Sequence, residues 1–212
     1  NFKYWFGSNF IMLINNKFLK YLSFFISIVF VINLIYMINS SFFIVKNQFT
    51  DIGDTTYVNQ VREDDYTIKL ASYLTKNCNK DKLCEVQNLL DFVTTIPYKI
   101  NESIAKSPKQ VVEQNFGDCD DKSNLLISLL KVLGYEVYFV LVPEHIFVII
   151  NLDNLNISKE ALYINDKKFY ILETTATLSK IGFPLKYKLS DIEAVIDPFK
   201  NKKIIINNLE YK

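Results

Sequence analysis

The chain has 212 residues, of which half are hydrophobic and 22% are charged, a composition that excludes a chain disordered throughout its length. Its 24 basic and 23 acidic side chains leave a formal net charge of +1, so no excess of positive charge favours a nucleic acid as partner. The chain has one histidine, His145, and three cysteines in no C-x-x-C pair, which excludes a zinc site built on several histidines.

The first element that the sequence predicts is a transmembrane helix over about residues 21–43. Residues 21–45 contain no charged side chain, and a helix of this length, at about 1.5 Å per residue, crosses a hydrocarbon core of roughly 30 Å. Two other interpretations stay open, a buried core helix and a cleaved signal peptide. The apolar run is long for a signal peptide, and no A-x-A-like cleavage site follows it.

The charges on the two sides of this helix differ and predict its orientation. Lys3, Lys17 and Lys20 precede it, whereas the first acid of the chain, Asp51, follows it. Because positive charge favours the cytoplasmic side, we expect a single-pass membrane protein with its C-terminal domain outside the cytoplasm. The aromatic segment 1–14 is expected at the membrane surface.

The sequence divides into an N-terminal segment with the transmembrane helix, a polar linker and a globular domain, over residues 1–46, 47–62 and 63–212. The linker has no long apolar period. The chain shows no internal repeat and no low-complexity tract, so we expect one domain after the linker.

The domain is predicted to begin with two helices, over 66–76 and 82–95, in which apolar residues recur every three or four positions. Cys78 and Cys84 lie in and just after the connection between them. Outside the cytoplasm a disulfide between these two cysteines is expected, with two unpaired thiols as the alternative. A disulfide would leave Cys119 as the odd cysteine, which is typical of a reactive thiol.

The rest of the domain is predicted to be a buried helix followed by β-strands. The stretch 120–133 has a wide leucine-rich face, typical of a central helix, and Gly134 ends it. The runs 136–142 and 146–150 are β-branched and aromatic, and the polar stretch 165–168 predicts the turn of a hairpin. Helices followed by an antiparallel sheet predict an α+β domain whose central helix packs on that sheet.

Cys119 stands directly before the predicted central helix, where free backbone N–H groups and the helix dipole favour a thiolate. The helix dipole alone cannot activate this thiol, because three neighbouring carboxylates oppose it: Asp118, Asp120 and Asp121. A protonated imidazole could, and His145, at the start of a strand, is the candidate. Glu173 follows another strand, where its carboxylate could hold the second ring nitrogen.

The sequence GDCDDKSNLLISLLKVLGY, residues 117–135, resembles the signature of the transglutaminase-like superfamily, and in particular of its membrane-anchored bacterial or archaeal members. That superfamily shares a papain-type Cys–His–acid arrangement on a papain-like core. The resemblance extends over roughly residues 82–177 and implies Cys119 as nucleophile, His145 as general base and acid, and Glu173 as orienting acid. The segments HIFVII and ETT stand where the family has H-A-W-V and D-P-T.

The same resemblance implies thioester chemistry that needs no cofactor. Family members attack a glutamine carboxamide or a peptide carbonyl, and water or an amine then resolves the thioester. The Cys119 backbone N–H and the Gln114 side chain are the candidate oxyanion donors. Some bacterial relatives bind calcium through acids beside the thiol, which makes Asp118 and Asp120 candidate ligands. The sequence favours the alternative, in which Asp118 caps the helix and Asp120 and Asp121 compensate its dipole.

Three functions are compatible with the sequence. The first is a membrane-anchored, protease-like thiol hydrolase or acyltransferase, whose partner is a protein or peptide substrate and whose anchor binds the membrane. The second is a catalytically inactive module of the same fold that binds a peptide or envelope component. The third is a structural membrane protein in which residues 1–45 act through helix association. The sequence favours the first.

Overall fold

A computed structural model describes residues 17–53, 55–100, 104–152 and 157–212, without the side chains of residues 42–47. The chain divides into two compact units, Asn1–Lys46 and Asn47–Lys212. The aromatic segment 1–14, expected at the membrane surface, lies outside the described residues.

The first unit consists, in its described part, of one long apolar helix. This helix, α1, extends over Lys17–Gln48, and its segment Lys17–Ser41 is long and apolar enough to cross a membrane. None of that segment is buried inside the protein. The hydroxyl of Ser27 and the amide of Asn33 each donate to a carbonyl of the preceding turn, at 2.9 Å in both cases. The helix therefore satisfies these polar groups itself, as an apolar environment requires.

The second unit places four helices in one layer. They are α2 (Asp65–Thr75), α3 (Lys82–Thr95), α4 (Pro108–Gln114) and α5 (Cys119–Val132). The three helices predicted from periodicity lie within one residue of α2, α3 and α5. Helix α4 was not predicted, because seven residues are too few to show a helical period.

One antiparallel sheet of seven strands forms the other layer, in the order β8-β7-β3-β4-β6-β5-β9. Its strands are β3 (Val137–Val142), β4 (His145–Ile150), β5 (Leu162–Ile164), β6 (Lys167–Leu172), β7 (Ala194–Asp197), β8 (Lys202–Lys203) and β9 (Leu209–Tyr211). The predicted turn between β5 and β6 is present: Asn165 and Asp166 connect the strands, both with positive φ, as in a type I′ hairpin.

Helix α5 lies at the centre of the domain, as the leucine-rich face predicts. The ten consecutive residues from Asp121 to Leu130 are all buried, against the other helices on one side and the sheet on the other. A second apolar cluster covers the opposite face of the sheet, around Phe147 and Val195. The predicted fold class, α+β with a central helix packed on an antiparallel sheet, is confirmed.

The segment 47–62, predicted as a linker, is instead part of the domain. Residues Phe49–Asp51 (β1) and Thr56–Val58 (β2) form an antiparallel hairpin. Beyond it, the backbone N–H of Gln60 donates to Asn124 Oδ1 at 3.2 Å, and that of Arg62 donates to Ser128 Oγ at 3.0 Å. These donors are therefore bonded to polar side chains of α5, a contact that the polar sequence of the segment does not reveal.

Candidate active site

The loop before α5 fixes the position of Cys119, the first residue of that helix. The backbone of Gly117 forms a parallel bridge with Tyr98, and its N–H donates to the Pro97 carbonyl at 3.1 Å. A Cβ on Gly117 would lie 2.7 Å from Asp121 Cβ, so only glycine permits this close approach. Asp118 caps the helix, since its carboxylate accepts the N–H of Asp121 at 3.1 Å.

Two neighbouring strands bring His145 and Glu173 together. His145 is the first residue of β4, and Glu173 directly follows β6. The two strands pair with Val148 opposite Leu172, and continuing this register places Glu173 opposite Phe147. Because alternate residues of a strand share a face, His145, Phe147 and Glu173 lie on the same face of the sheet.

The Glu173 carboxylate is held by both of its oxygens. Oε2 lies 2.9 Å from His145 Nε2, while Oε1 accepts the backbone N–H of Thr175 at 2.9 Å and its hydroxyl at 2.6 Å. Only 8% of the Glu173 residue is exposed. The carboxylate therefore has a fixed orientation and presents one oxygen to the imidazole.

Aromatic rings hold the imidazole in place. Tyr187 stacks on His145 with 6.0 Å between ring centroids and 20° between ring planes, and Phe147 lies 6.4 Å away. The His145 side chain is 16% exposed. Since Nε2 contacts Glu173, Nδ1 is the nitrogen left to face the thiol.

The charge state of the pair follows from its contacts. Burial by itself lowers the pKa of His145, but hydrogen bonds to Cys119 and Glu173 outweigh it and raise the pKa to about 9. Burial raises the pKa of Glu173, but hydrogen bonds from His145 and Thr175 outweigh it, so the net pKa is lowered. At neutral pH the imidazole is therefore protonated and the carboxylate ionised.

An open cleft of about 310 Å³ gives access to these groups. Its lining consists of Tyr57, Cys119, Asp120, Leu141, Val142, Glu144, His145, Ile146 and Glu193. Asp120 Oδ1 lies 4.0 Å from Cys119 Sγ. Burial and the neighbouring carboxylates of Asp118 and Asp121 raise the pKa of Asp120 to about 6, against an opposing effect of His145.

The structure does not bring every predicted site residue to this cleft. Gln114, the candidate oxyanion donor, is the last residue of α4 and lines a separate cavity beside Lys106 and Phe116. Among the described residues, no group of three or more His, Cys, Asp or Glu side chains is arranged to hold a metal ion. Asp118 acts as the helix cap, and Asp120 lines the cleft.

Sequence reasoning missed Tyr57, which lines the cleft from β2. It precedes the helices and lies in a segment without an apolar period, so no pattern in the sequence singles it out. The predicted disulfide partners are bonded in the structure, with 5.4 Å between the Cα atoms of Cys78 and Cys84. Cys119 is unpaired and half-buried.

Fold and site together define an α+β domain in which a thiol at the start of the central helix shares a cleft with an imidazole, and this imidazole contacts a carboxylate that follows a neighbouring strand. Residues 68–146 match the family model of the transglutaminase-like superfamily, a segment that contains Cys119 and His145 and ends before Glu173. The chain therefore carries a transglutaminase-like superfamily domain.

Solved structures show similarity at low sequence identity. LapG of Legionella pneumophila is 12% identical over 57% of this chain and 78% of its own, with a TM-score of 0.43. A protein of Cytophaga hutchinsonii described as a "putative cysteine protease" is 17% identical over 56% of this chain and 41% of its own, with a TM-score of 0.40. No protein of curated function matches the sequence.

Proposed function

We propose that this protein is a membrane-anchored thiol hydrolase or acyltransferase that acts on a peptide or glutamine amide. The observation that carries the proposal is the chain of contacts at the cleft. Cys119 and His145 line the same cleft, a hydrogen bond with the thiol contributes to the raised pKa of His145, and His145 Nε2 lies 2.9 Å from a carboxylate of fixed orientation. This is the arrangement that activates a nucleophile through a base and orients the base through a third group.

In the proposed reaction the Cys119 thiolate attacks the amide carbonyl, and a C–S bond forms as the carbonyl oxygen takes up negative charge. The protonated His145 gives its proton to the leaving nitrogen, the C–N bond breaks, and an amine departs. Water or a second amine then attacks the thioester, His145 takes the proton of that nucleophile, and the thiolate is released. Glu173 keeps the imidazole oriented through both steps.

The cleft is open to solvent, and this shape supports the proposal that the substrate is a segment of a protein or peptide. The lining is apolar at Leu141, Val142 and Ile146, next to the thiol. An extended chain segment can enter such a groove from the side, with the amide bond above Cys119. The reaction is protease-like when water resolves the thioester and a transamidation when an amine does.

The location that we propose is a membrane, with α1 as a single-pass anchor and the domain outside the cytoplasm. The support is the length and apolar character of Lys17–Ser41, together with lysines on its N-terminal side and acids only after it. A disulfide between Cys78 and Cys84 suits the same compartment.

A second candidate function is a peptide-binding module that has lost catalysis. One observation favours it: the Asp120 carboxyl lies 4.0 Å from Cys119 Sγ, and a negative charge at that position opposes a thiolate. The substitution of the family's D-P-T by Glu173-Thr174-Thr175 points the same way. Reactivity of the thiol separates the two functions.

The experiment uses the full-length protein in detergent and a low dose of iodoacetamide near neutral pH, with mass spectrometry of the Cys119 peptide. An enzyme is expected to be alkylated rapidly at Cys119, and the His145→Ala variant at least about ten times more slowly, because it lacks the imidazolium partner. Equal and slow labelling of both proteins would favour the binding module.

Turnover gives the direct test. With a mixture of glutamine-containing peptides as substrate, Cys119→Ala is expected to abolish amide cleavage, and Cys119→Ser to leave very little, since a serine hydroxyl does not ionise beside the imidazole. A fully active Cys119→Ala protein would end the proposal.

A further inference from the structure

The proposed reaction needs two hydrogen-bond donors for the oxyanion, and only one follows directly from the fold. Cys119 begins α5, and the first N–H groups of a helix have no acceptor within that helix. The Cys119 N–H is therefore one donor. Gln114, the expected second donor, faces a different cavity. The cleft lining itself must supply the other donor.

Tyr57 has the properties that a second donor requires. It lines the cleft together with Cys119, and its ring packs edge-on against Phe139, with 5.8 Å between centroids and 74° between planes. Its hydroxyl oxygen is buried and has no hydrogen-bond partner among the described residues. Buried polar groups are almost always paired, so an unpaired hydroxyl on a residue that lines the cleft of the proposed nucleophile indicates that its partner arrives with the substrate.

The hairpin that carries Tyr57 is fixed to the domain. The Thr50 hydroxyl bonds to Asn201 Oδ1 at 3.2 Å, and the Lys203 ammonium donates to the Ile52 carbonyl at 2.9 Å. After the hairpin, the fully buried Asn59 also bonds to Asn201, at 3.3 Å. Tyr57 is thus held in advance of the reaction, which an effective oxyanion donor must be.

We propose that the Tyr57 hydroxyl donates the second hydrogen bond to the oxyanion that forms when Cys119 attacks a carbonyl. The proposal rests on the proposed function of the same site and adds a catalytic residue to it. The hydroxyl lies in a position shielded from solvent, where a hydrogen bond to developing negative charge is strong. Burial and the nearby Asp120 and Cys119 raise the pKa of Tyr57 well above its ordinary value, so the hydroxyl keeps its proton.

The test compares two reactions of the same thiol in the full-length protein in detergent. With p-nitrophenyl acetate, the thiolate attacks the carbonyl carbon, an oxyanion forms, and the C–O bond breaks to release p-nitrophenolate with its electron pair. With iodoacetamide, the thiolate displaces iodide at a saturated carbon, and no oxyanion forms. An oxyanion donor accelerates only the first reaction, whereas a group that activates the thiol accelerates both.

The variant is Tyr57→Phe, which keeps the ring and removes the hydroxyl. We expect acylation of Cys119 to slow by on the order of 100-fold and alkylation to stay unchanged. The matched control is Tyr138→Phe, whose hydroxyl donates to Glu136 and does not line the cleft. It should leave both rates unchanged. Cys119→Ser supplies the background rate of acylation at other groups.

Each other outcome overturns the proposal. Unchanged rates of both reactions in Tyr57→Phe would exclude Tyr57 as a donor and leave the proposed thiol chemistry intact. Equal losses in both reactions would show that the hydroxyl acts on the thiol and not on the oxyanion. A wild-type Cys119 that reacts with neither reagent would contradict the proposed function itself, and the role of Tyr57 with it.

Discussion

At the residue scale, the site depends on the bond between His145 and Glu173. Because its pKa is raised to about 9, the imidazole is protonated from acidic pH through neutrality and loses its proton only as the pH rises through about 9. The pair contributes to the stability of the fold over the same range of pH. This contribution is fully present below the ordinary histidine pKa of about 6.5 and is lost as the pH rises through about 9.

The substitution Glu173→Gln tests this bond. It removes the negative charge at 2.9 Å from Nε2, so we expect the pKa of His145 to fall by at least about one unit and amide cleavage to slow by on the order of 100-fold. His145 is the only histidine of the chain, so its ring proton can be followed by NMR during a pH titration without further assignment.

The matched control is Glu193→Gln, which removes a carboxylate that lines the same cleft and should shift the His145 pKa much less. A wild-type His145 that titrates near its ordinary value would contradict the ion pair. So would a pKa that is the same in wild type and Glu173→Gln.

Asp120 permits a second test at the residue scale, of how burial of a carboxyl group changes the stability of the fold with pH. Burial and the carboxylates of Asp118 and Asp121 raise its pKa to about 6, so the folded protein holds a proton there that the unfolded chain releases near pH 4. A group whose pKa is raised on folding contributes stability at low pH, and this contribution is lost as the pH rises through about 6. Ionised Asp120 therefore destabilises the fold at neutral pH.

We expect Asp120→Asn to raise the free energy of unfolding at pH 8 by on the order of 1 kcal/mol and to have little effect at pH 3. Denaturant titrations at both values measure the difference. Asp166→Asn, in the exposed β5–β6 turn, removes one carboxylate without this burial and should show no comparable change. A gain that does not depend on pH would exclude ionisation as its cause.

Some site residues could be predicted from the sequence, because few cysteines and histidines are present that could form a catalytic pair. One histidine and one odd cysteine leave a single Cys–His pair, and the strand patterns place His145 and Glu173 at strand ends. The structure places His145 in the same cleft as Cys119 and bonds it to Glu173, while their catalytic roles stay predictions. Tyr57 could not be found in this way, since its neighbours in space are Cys119 and Phe139, far along the chain.

At the element scale, the predictable elements are those whose sequence pattern extends over several turns of a helix or over a whole strand. Helices α2, α3 and α5 show an apolar period, whereas strands β3 and β4 are β-branched and aromatic runs. The predicted bounds of all five agree with the structure within one residue. The strands β1 and β2 have three residues each, too few for a pattern, and the polar segment after them is held by side chains of α5. A segment whose stability comes from distant polar partners looks like a linker in the sequence.

The start of α5 fixes the position of Cys119, the proposed nucleophile, and Gly117→Ala tests this dependence. The added Cβ would lie 2.7 Å from Asp121 Cβ, and Asp121 is fully buried and bonded to the Lys106 backbone. We expect a loss of about 1–3 kcal/mol in the free energy of unfolding and a slower alkylation of Cys119, because the turn that holds the thiol has to shift.

The control is Gly134→Ala at the other end of the helix. Gly134 has a positive φ of 85° but no atom near an added Cβ. It should lower stability through backbone strain and leave the reactivity of Cys119 unchanged. Equal reactivity of Cys119 in wild type and Gly117→Ala would contradict the dependence on this close approach.

At the scale of the whole molecule, the apolar helix α1 and the disulfide both bear on the proposed location of the second unit. The lysines before α1 and the acids after it support the proposal that the second unit lies outside the cytoplasm, where structural disulfides normally persist. The bond closes a short loop between α2 and α3, and by the chain-entropy estimate it stabilises the fold by about 2 kcal/mol. Reduction should therefore lower the melting temperature without removing Cys119 from the cleft.

The state of the three cysteines tests this location. We expect protein isolated with its membranes and denatured without reductant to take up one maleimide-polyethylene glycol group, at Cys119, and three after reduction. The Cys119→Ser variant should take up none before reduction and two after it. Three groups without reductant would place Cys78 and Cys84 in a reducing compartment. The positive flank of α1 would then lie outside, and the orientation that brings the proposed active site to extracytoplasmic peptides would be wrong.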